Sequence, residues 1–399
     1  MRSRFRGFGS DVVEDRQGKL MRERKPVKVC LLGLENATVF LPGLDGFRVG
    51  GEQVQQSLIA RALRHRGYQT SMVCMDYGQP DGVEADGVTV YRAYAPNGGL
   101  PVVRFIYPRW VKLWSALRRA DADIYYTSCA GVQVGLLALF CQRHKRKFIY
   151  RVAHDNDCEP SSLLIPLARD KHLYEYGLQR AHGILTQSQQ QAQALERNYR
   201  RQSQVAGMLV EKPSQYISYQ ERDIDVLWVN NIRQFKRPDL VLDLAECMPD
   251  VSFHLVGGPN EPELYEQIKQ RTKSLRNVTF HGPVPYRQVG GFYDRCRVFL
   301  NTSDVEGFPN SYLQAWVRSR PVVAFFDPDG VIRREGMGRA VNSLDEMRLA
   351  VHTYLSNESD LENVGSRCGE YMSRKYGDDV VLKPYLQMLE YLVSQDAKK

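Results

Sequence analysis

The sequence predicts an α/β fold in which two doubly wound, Rossmann-like domains face a cleft. Short apolar runs rich in branched residues, typical of strands buried on both faces, alternate with helical patterns. This alternation stops at a polar segment and then starts again, and 399 residues suit two or three domains. Strands that alternate with helices indicate parallel sheets covered by helices on both faces.

The first series of apolar runs predicts the strands of one domain. Between the first two runs, Val54–Arg66 has leucines and an alanine on one side and arginines on the other, which predicts an amphipathic helix. The predicted strands are Val27–Leu34, Ser71–Met75, Ile124–Thr127, Phe148–Val152 and Gly183–Thr186.

The second series follows Glu211–Arg222, which is polar, contains a proline and reads as a linker. Its predicted strands are Asp225–Asn230, Val251–Val256, Val278–His281, Arg297–Asn301 and Pro321–Phe326, and its predicted helices are Leu240–Cys247, Glu261–Lys273, Tyr286–Asp294 and Ser311–Arg318. We therefore expect a tail at residues 1–26, a first domain at 27–210, the linker at 211–222, a second domain at 223–376, and a final helix at 377–399 that can pack back on the first domain.

The net charge of +8 is divided between the tail and the body. Residues 1–26 hold eight Lys/Arg and four Asp/Glu, a net charge of +4, which leaves +4 for the body. A body so close to balance lacks the dense basic stripe of a nucleic-acid binder. The tail has two interpretations, a disordered solubilising segment or a contact with acidic surfaces such as phospholipid or RNA.

The N-terminal residues and the cysteines favour a cytoplasmic protein. Met1–Ser10 lacks the apolar core of an export signal, and the longest apolar stretch, Ala130–Cys141, is too short to span a bilayer. The eight cysteines form no C-x-x-C pair and mostly lie in apolar segments. We expect reduced thiols rather than disulfides or a zinc site.

The run from Asp304 to Ser311 carries the most specific chemistry in the sequence. It follows a predicted strand and opens a predicted helix, with Gly307 and Pro309 in a tight loop and Asn310 or Ser311 able to cap the helix. The carboxylate of Glu306 would stand at the cleft, where it can accept hydrogen bonds from a sugar. The alternative interpretation is a well-capped helix beside a solvated glutamate.

Two further segments lie at the carboxyl ends of predicted strands. Arg233 and Lys236 follow the first strand of the second series, where two cations suit a diphosphate, although basic turns on the surface are common. Gly50 and Gly51 follow the first strand of the chain and let the backbone approach a ligand closely, although a flexible turn has the same composition.

In this order and spacing the three segments resemble the family 4 glycosyltransferases of the GT-B fold, from about Val27 to about Leu392. The strongest signature is EGFPNSYLQAW, in which family members carry a glutamate and a second one eight residues later. Glu306 matches the first, which in the family contacts the transferred sugar. Gln314 stands at the second, where the family's glutamate binds the nucleotide ribose.

The resemblance implies a role for each matching residue. Arg233 and Lys236 correspond to the pair that neutralises the donor diphosphate, and Gly50 and Gly51 to the glycine loop of the first domain. Gly307, Phe308, Pro309 and Asn310 belong to the donor-binding segment. His154, after the strand Phe148–Val152, corresponds to a polar residue at the donor sugar or reacting centre.

Asp155-Asn156-Asp157 forms a D-x-D sequence, which binds a metal in glycosyltransferases of the GT-A class. GT-B enzymes generally need no metal, and no further hard-oxygen ligands are evident here. We expect no metal and no other cofactor, and favour a structural role in capping the following segment.

Arg109–Arg119 places Trp110, Leu113, Trp114 and Leu117 on one helical face, with basic residues around much of the rest. Such a helix either lies on an acidic membrane or packs this face on the first sheet. The first choice would make the protein peripheral on the inner face of the membrane, with the basic tail as a second contact.

The resemblance thus implies a retaining glycosyltransferase with Glu306, His154, Lys236 and Arg233 at its catalytic centre. The donor would be a nucleotide-diphosphate sugar held by the second domain, and the acceptor a saccharide or lipid-linked saccharide held by the first, as in surface polysaccharide or glycolipid biosynthesis. Two alternatives remain open, a GT-B-like nucleotide-sugar epimerase and a catalytically silent glycan-binding or scaffold subunit.

Overall fold

The chain forms two mostly parallel sheets, each covered by helices. The computed structural model describes residues 25–41, 43–44, 50–100, 103–213, 215–304, 306 and 308–396. Within them the first sheet has eight strands in the order β3-β4-β2-β1-β5-β6-β7-β8. These are β1 (Lys28–Leu32), β2 (Gln69–Cys74), β3 (Val83–Ala85), β4 (Val88–Arg92), β5 (Ile124–Ser128), β6 (Lys147–Arg151), β7 (Gly183–Thr186) and β8 (Gln204–Val205).

The second sheet has six described strands, all parallel, in the order β11-β10-β9-β12-β13-β14. They are β9 (Ile224–Val229), β10 (Phe253–Val256), β11 (Val278–Gly282), β12 (Cys296–Asn301), β13 (Val322–Ala324) and β14 (Gly338–Ala340). This is the strand order of a doubly wound dinucleotide-type domain. All its strands point the same way, but the order in which they are added to the sheet reverses between the first strand and the fourth. In both sheets a crevice therefore opens at the reversal point, between β1 and β5 and between β9 and β12.

Fourteen α-helices connect and cover these strands within the described residues. They are α1 (Ala37–Phe40), α2 (Gly51–His65), α3 (Val111–Ala120), α4 (Val132–His144), α5 (Ala168–Arg180), α6 (Gln189–Tyr199), α7 (Pro238–Glu246), α8 (Pro262–Thr272), α9 (Tyr286–Arg295), α10 (Asn310–Trp316), α11 (Val331–Glu335), α12 (Leu344–Ser356), α13 (Glu358–Tyr376) and α14 (Asp378–Asp396).

The predicted fold class is confirmed, and each predicted strand has an observed counterpart with ends shifted by a few residues. The pattern missed four short strands, β3, β4, β8 and β14. β3 runs antiparallel to β4, so the first sheet is not parallel throughout. β3, β8 and β14 lie at sheet edges and span two or three residues, too few for an apolar run to stand out. β4 lies between β3 and β2, and its sequence VTVYR is not a continuous apolar run.

Three apolar clusters form the interior. One fills the second domain, and the other two lie on the opposite faces of the first sheet. The final helix, α14, belongs to the first sheet's core, because Val381, Leu382 and Leu389 pack with residues of β1 and β2. The Tyr385 hydroxyl also donates to the Gly207 carbonyl at 3.1 Å. The end of the chain therefore crosses back and helps to hold the two domains together.

The apolar face predicted at Arg109–Arg119 packs inside the first domain. Leu113 and Leu117 of α3 are 2% and 1% exposed, and the Trp114 ring meets the Phe140 ring at 5.1 Å between centroids. This face is therefore not available to a membrane, and the structure favours the packed interpretation of the helix. The predicted basic tail lies, apart from Lys25 and Pro26, outside the described residues.

All eight cysteines are free thiols, and all but Cys129 and Cys247 are buried, in agreement with the absence of a disulfide framework. Among the described helices, none is both long and apolar enough to cross a bilayer.

Helices α4 and α5 cross at two glycines, which gives a test of the packing. A Cβ atom added to Gly177 would lie 2.5 Å from the Val134 carbonyl oxygen, and one added to Gly135 would lie 2.2 Å from the Leu173 carbonyl oxygen. Backbone atoms cannot move aside as a flexible side chain can. We expect Gly177→Ala to lower the free energy of unfolding by about 1–3 kcal/mol, measured by urea denaturation.

The matched control is Gly291→Ala in α9, where an added Cβ would meet open space. This substitution should be neutral or stabilising by about 1 kcal/mol, because alanine favours a helix more than glycine does. Equal destabilisation by both substitutions would contradict close packing of α4 on α5.

Candidate active site

A cleft of about 670 Å³ lies where the carboxyl ends of the two sheets face each other. Its walls come from both domains, including the start of α2 and the loop after β6 on one side and the loops after β9, β10 and β12 on the other. It is large enough for an organic ligand of substantial size. The predicted residues Gly50, Gly51, His154, Arg233, Lys236, Glu306, Phe308, Pro309, Asn310 and Gln314 all line it.

An ion pair joins the loops after β9 and β12. The Lys236 Nζ atom donates to Glu306 Oε1 at 2.5 Å, and the two side chains are only 14% and 11% exposed. Ser303 Oγ and Asn301 Nδ2 also donate to Glu306 Oε1, at 2.7 and 3.3 Å. All of these contacts use one carboxylate oxygen, and among the described residues no donor occupies Oε2.

Backbone contacts fix this pair. The Thr302 hydroxyl donates to the Lys236 carbonyl at 2.8 Å, and the Asp304 amide donates to the Phe235 carbonyl at 2.9 Å. The two loops are therefore tied at three points, and Lys236 and Glu306 are positioned before any ligand arrives. Such preorganisation is what an electrostatic catalyst requires.

Arg233 stands at the mouth of the cleft with an exposed side chain. With the Asn260 carboxamide oxygen turned toward it, that oxygen accepts from Arg233 Nε at 2.7 Å and also from Nη2. The remaining guanidinium nitrogen is directed away from this contact. Arg233 and Lys236 together place two cations beside the carboxylate of Glu306 on the second domain's side of the cleft.

The starts of α2 and α10 face each other across the cleft. A Cβ atom on Gly51 would lie 2.4 Å from Asn310 Nδ2, so a larger residue at position 51 would require the Asn310 side chain to move. The prediction that Asn310 or Ser311 caps α10 is wrong. Pro309 occupies the cap position without a side-chain bond, and the Asn310 carboxamide oxygen instead accepts from Gln55 of the first domain at 3.2 Å.

Gln314 lines the cleft from α10, and Arg318 holds it there. Arg318 Nη1 donates to Gln314 Oε1 at 2.7 Å, and Arg318 Nε donates to Asp294 at 2.7 Å. The arginine is 5% exposed and well fixed. Because the carboxamide oxygen is engaged, the Gln314 amide nitrogen is the group left for a ligand.

His154 lies in the loop after β6 and caps the 3-10 turn Asp155–Cys158. Its Nδ1 accepts from the Asn156 amide at 3.2 Å, which leaves Nε2 for the cleft. His154 itself is exposed.

The two carboxylates of the D-x-D sequence do not converge. Asp157 is buried and accepts from the amides of Ala153 and His154, and burial raises its pKa while these amides oppose the rise. Asp155 instead accepts from Gln191 Nε2 at 2.8 Å. Among the described residues no cluster of three His, Cys, Asp or Glu side chains could hold a metal ion. The structure thus gives Asp157 the loop-holding role that the sequence favoured.

Sequence reasoning missed several residues of the cleft. Gly257 and Gly258 follow β10, and a Cβ atom on Gly257 would lie 1.9 Å from the Asn230 carbonyl oxygen. The Gly-Gly-Pro sequence after a predicted strand was the available signal. Gly307 of the predicted donor segment lies outside the described residues.

A buried ion pair forms part of the first domain's wall and was also missed. Arg151 is fully buried and donates from Nη1 to Glu52 Oε2 at 3.0 Å. Burial raises the pKa of the Glu52 carboxyl, while the charge of Arg151 opposes that rise. No sequence pattern joins two residues 99 positions apart, so only the fold reveals this pair.

Comparisons with known families agree with this geometry. Residues 50–206 match the model described as glycosyl transferase 4-like domain, and residues 224–357 match the model described as glycosyl transferases group 1. The two matches fall on the first and second domains in turn and meet at the cleft.

The chain belongs to the GT-B glycosyltransferases of the family 4 type.

Curated relatives of this glycosyltransferase match over parts of their length. The O-antigen biosynthesis glycosyltransferase WbnH of Escherichia coli is 32% identical over 100 residues, which are 25% of this chain and 27% of the relative. The poly(ribitol-phosphate) alpha-N-acetylglucosaminyltransferase of Staphylococcus aureus is 26% identical over 164 residues, 38% of this chain and 32% of the relative. The matched region thus spans about a third or less of these relatives.

Solved structures share the fold over nearly the whole chain. Sucrose-phosphate synthase from Thermosynechococcus elongatus superposes with a TM-score of 0.71 and 15% identity, covering 93% of this chain and all of that one. WaaG, a glycosyltransferase involved in lipopolysaccharide biosynthesis, gives 0.62 and 13% identity over 90% of this chain and 98% of that one. At such identities the likeness establishes the fold alone.

Proposed function

We propose that the chain is a retaining glycosyltransferase that moves a sugar from a nucleotide-diphosphate sugar to a saccharide or lipid-linked saccharide. The observation that carries this proposal is the Lys236–Glu306 ion pair beside Arg233, at the reversal point of the second sheet and opposite Gly51. Relatives named for O-antigen, poly(ribitol-phosphate) and monoglucosyldiacylglycerol synthesis support a role in surface polysaccharide or glycolipid biosynthesis. Such products would place the enzyme at the inner face of the cytoplasmic membrane.

The two cations of the cleft would stabilise the departing nucleoside diphosphate. Before the donor binds, the charge of Lys236 is balanced by Glu306, with 2.5 Å between Nζ and Oε1. A diphosphate carries more negative charge than one carboxylate, so Lys236 would turn part of its hydrogen bonding to the phosphates. Arg233 would add a forked contact at the mouth of the cleft. Stabilising charge that grows in the transition state is usually the largest catalytic term.

Glu306 would orient the donor sugar rather than attack it. Three donors saturate its Oε1 and Oε2 remains for a sugar hydroxyl. Held in this way, the carboxylate accepts a hydrogen bond more readily than it forms a covalent bond. Attack by the acceptor on the same face as the leaving phosphate, assisted by that phosphate, then gives retention without a protein nucleophile or a metal.

The acceptor would approach from the first domain, where His154 presents Nε2. Contacts such as Gln55 to Asn310, and Arg287 Nη2 to the Phe40 carbonyl at 2.7 Å, already join the domains across the cleft. Closure of this kind would exclude water and so limit hydrolysis of the donor.

A nucleotide-sugar epimerase is the second candidate, because Glu52 and Asp155 also line the cleft and an epimerase needs carboxylates as acid and base. A catalytically silent glycan-binding subunit is a third. Incubation of the purified protein with a panel of nucleotide sugars, with and without saccharide and lipid-linked acceptors, separates them.

We expect nucleotide release that depends on an acceptor, and a product whose anomeric configuration, read by NMR, equals that of the donor. Interconversion of donors without release would identify the epimerase. Binding without turnover of any donor would identify the silent protein. An inverted anomer would leave transfer intact and refute retention.

Substitutions of the ion pair should separate donor binding from catalysis. Lys236→Ala should lower both turnover and nucleoside diphosphate affinity by at least about tenfold, because the diphosphate loses a cation. Glu306→Ala should lower turnover by at least about tenfold, because the donor sugar loses the carboxylate that orients it. It should not weaken the binding of the nucleoside diphosphate, since it removes a negative charge that competes for Lys236. Turnover and calorimetric binding are the measurements.

The matched control is the exposed pair of Lys269 and Glu266 on α8, separated by 3.7 Å. Alanine at either position should change turnover by less than about twofold, because exposed ion pairs contribute little. Wild-type turnover in both Lys236→Ala and Glu306→Ala would contradict the assignment of the site.

Gln314 should limit the affinity for the nucleotide ribose. Gln314→Glu would give the ribose hydroxyls a charged acceptor, still held by Arg318, and should tighten nucleoside diphosphate binding by about fivefold. Gln314→Leu should weaken it by about fivefold, since it removes the polar group. The exposed Gln288→Glu on α9 serves as control, and equal affinities in all variants would refute the ribose contact.

A further inference from the structure

Half of the strongly exposed apolar side chains fall in one region of the first domain. Of the 12 large apolar or aromatic side chains that the described structure leaves exposed, six lie in two short segments. They are Val103 (50%), Ile106 (63%), Tyr107 (60%), Val111 (50%), Leu164 (77%) and Leu167 (54%), and together they form what we call the apolar patch. Clusters of this kind mark interaction sites more often than scattered exposed residues do.

Neighbouring residues hold these side chains outward. Leu163 and Ile165 pack toward the first domain's core, so Leu164 between them points away. In the other segment Pro108 is buried and the Trp110 ring meets the Phe105 ring edge-on at 5.8 Å. The two segments meet where the Arg169 guanidinium lies 3.7 Å from the centre of the Phe105 ring. This contact brings the two segments that carry the patch next to each other.

The surroundings of the patch are cationic. From Val103 to Arg119 the sequence contains five Lys/Arg and no Asp/Glu. Arg119 pairs with Asp81, and Arg169 pairs with Asp170. Arg104 and Lys112 are exposed and form no ion pair within the described part of the chain. Positive charge thus remains unbalanced beside the exposed apolar side chains.

We propose that the apolar patch, with Arg104 and Lys112 at its rim, docks the protein on an anionic bilayer surface. Apolar side chains enter the boundary between headgroups and acyl chains, and cations beside them bind anionic headgroups. A second copy of the chain fits less well. A twofold dimer would face the patch with itself and bring Arg104 and Lys112 against like charges.

This surface differs from the face of α3 that the sequence suggested, which is buried. Its position also suits the proposed transfer. Leu164 and the cleft residue His154 both belong to the first domain, so a docked bilayer would contact the domain that is proposed to hold the acceptor. That last step rests on the proposed function, whereas bilayer docking itself does not.

Co-sedimentation with vesicles tests the docking without any donor or acceptor. We expect the full chain to bind phosphatidylcholine vesicles that contain phosphatidylglycerol and to bind pure phosphatidylcholine weakly. The double variant Ile106→Ser/Leu164→Ser should lower the partition coefficient by at least about tenfold, because two apolar side chains no longer enter the bilayer. Arg104→Glu/Lys112→Glu should do the same for anionic vesicles only.

Matched controls carry the same changes elsewhere. Leu349→Ser/Tyr391→Ser replaces two side chains that are 66% and 56% exposed outside the patch, and Lys273→Glu/Lys375→Glu reverses two cations of the second domain. The apolar control should bind vesicles as the wild type does, and the charge control should fall by less than about threefold through net charge alone. Thermal unfolding of each variant checks that it is folded.

Three results would overturn the proposal. One is equal vesicle binding by the wild type and Ile106→Ser/Leu164→Ser. Another is the absence of wild-type binding to anionic vesicles. The third is concentration-dependent dimerisation in light scattering that Ile106→Ser/Leu164→Ser abolishes, which would assign the patch to a second copy. A failed transfer assay would leave the vesicle result untouched, so the two proposals fail separately.

Discussion

The Lys236–Glu306 ion pair is the interaction on which the geometry of the cleft depends. Parallel strands place every following loop at one edge of a sheet, and the reversal between β9 and β12 parts those loops into a crevice. The ion pair and two backbone bonds close that crevice at its base. A partly buried pair is costly to assemble, and it is tolerated where each charge has further partners. Here those partners leave one carboxylate oxygen and the ammonium facing the ligand space.

The second domain alone would make half a site. The first sheet has a reversal point of its own, between β1 and β5, and the start of α2 places Gly51 close to Asn310 of the second domain. Helix α14 returns from the second domain to the first sheet's core, which limits how far the two crevices can separate. A cleft whose walls belong to different domains can bind two substrates on opposite sides and still exclude water between them.

The sequence predicted the fold well because each buried parallel strand is visible locally as an apolar run. The short edge strands β3 and β8 carry no such run, and their pairing depends on neighbours that the sequence does not place. The same limit governs the site. Arg233, Lys236 and Glu306 follow strand ends and were found by position. The Gln55–Asn310, Gln314–Arg318 and Glu52–Arg151 contacts depend on tertiary structure, and the error over the α10 cap arose because Asn310 bonds across the cleft rather than to its own helix.

Amphipathicity shows most clearly what a sequence withholds. The apolar stripe of Leu113, Trp114 and Leu117 predicts that one face of α3 is shielded from water. Either a membrane or the protein core could provide that shielding. The core does so here, since Phe140 and its neighbours already cover the stripe. Of the side chains that remain exposed, Ile106 lies in a short helical turn with a kink at Tyr107, and Leu164 lies outside any helix. Neither segment has the long, regular helical period by which a sequence reveals an apolar face. A docking surface is thus recognised from the apolar side chains that remain exposed in the folded structure. The apolar face that a helical period reveals in the sequence is often buried already in the protein's own core.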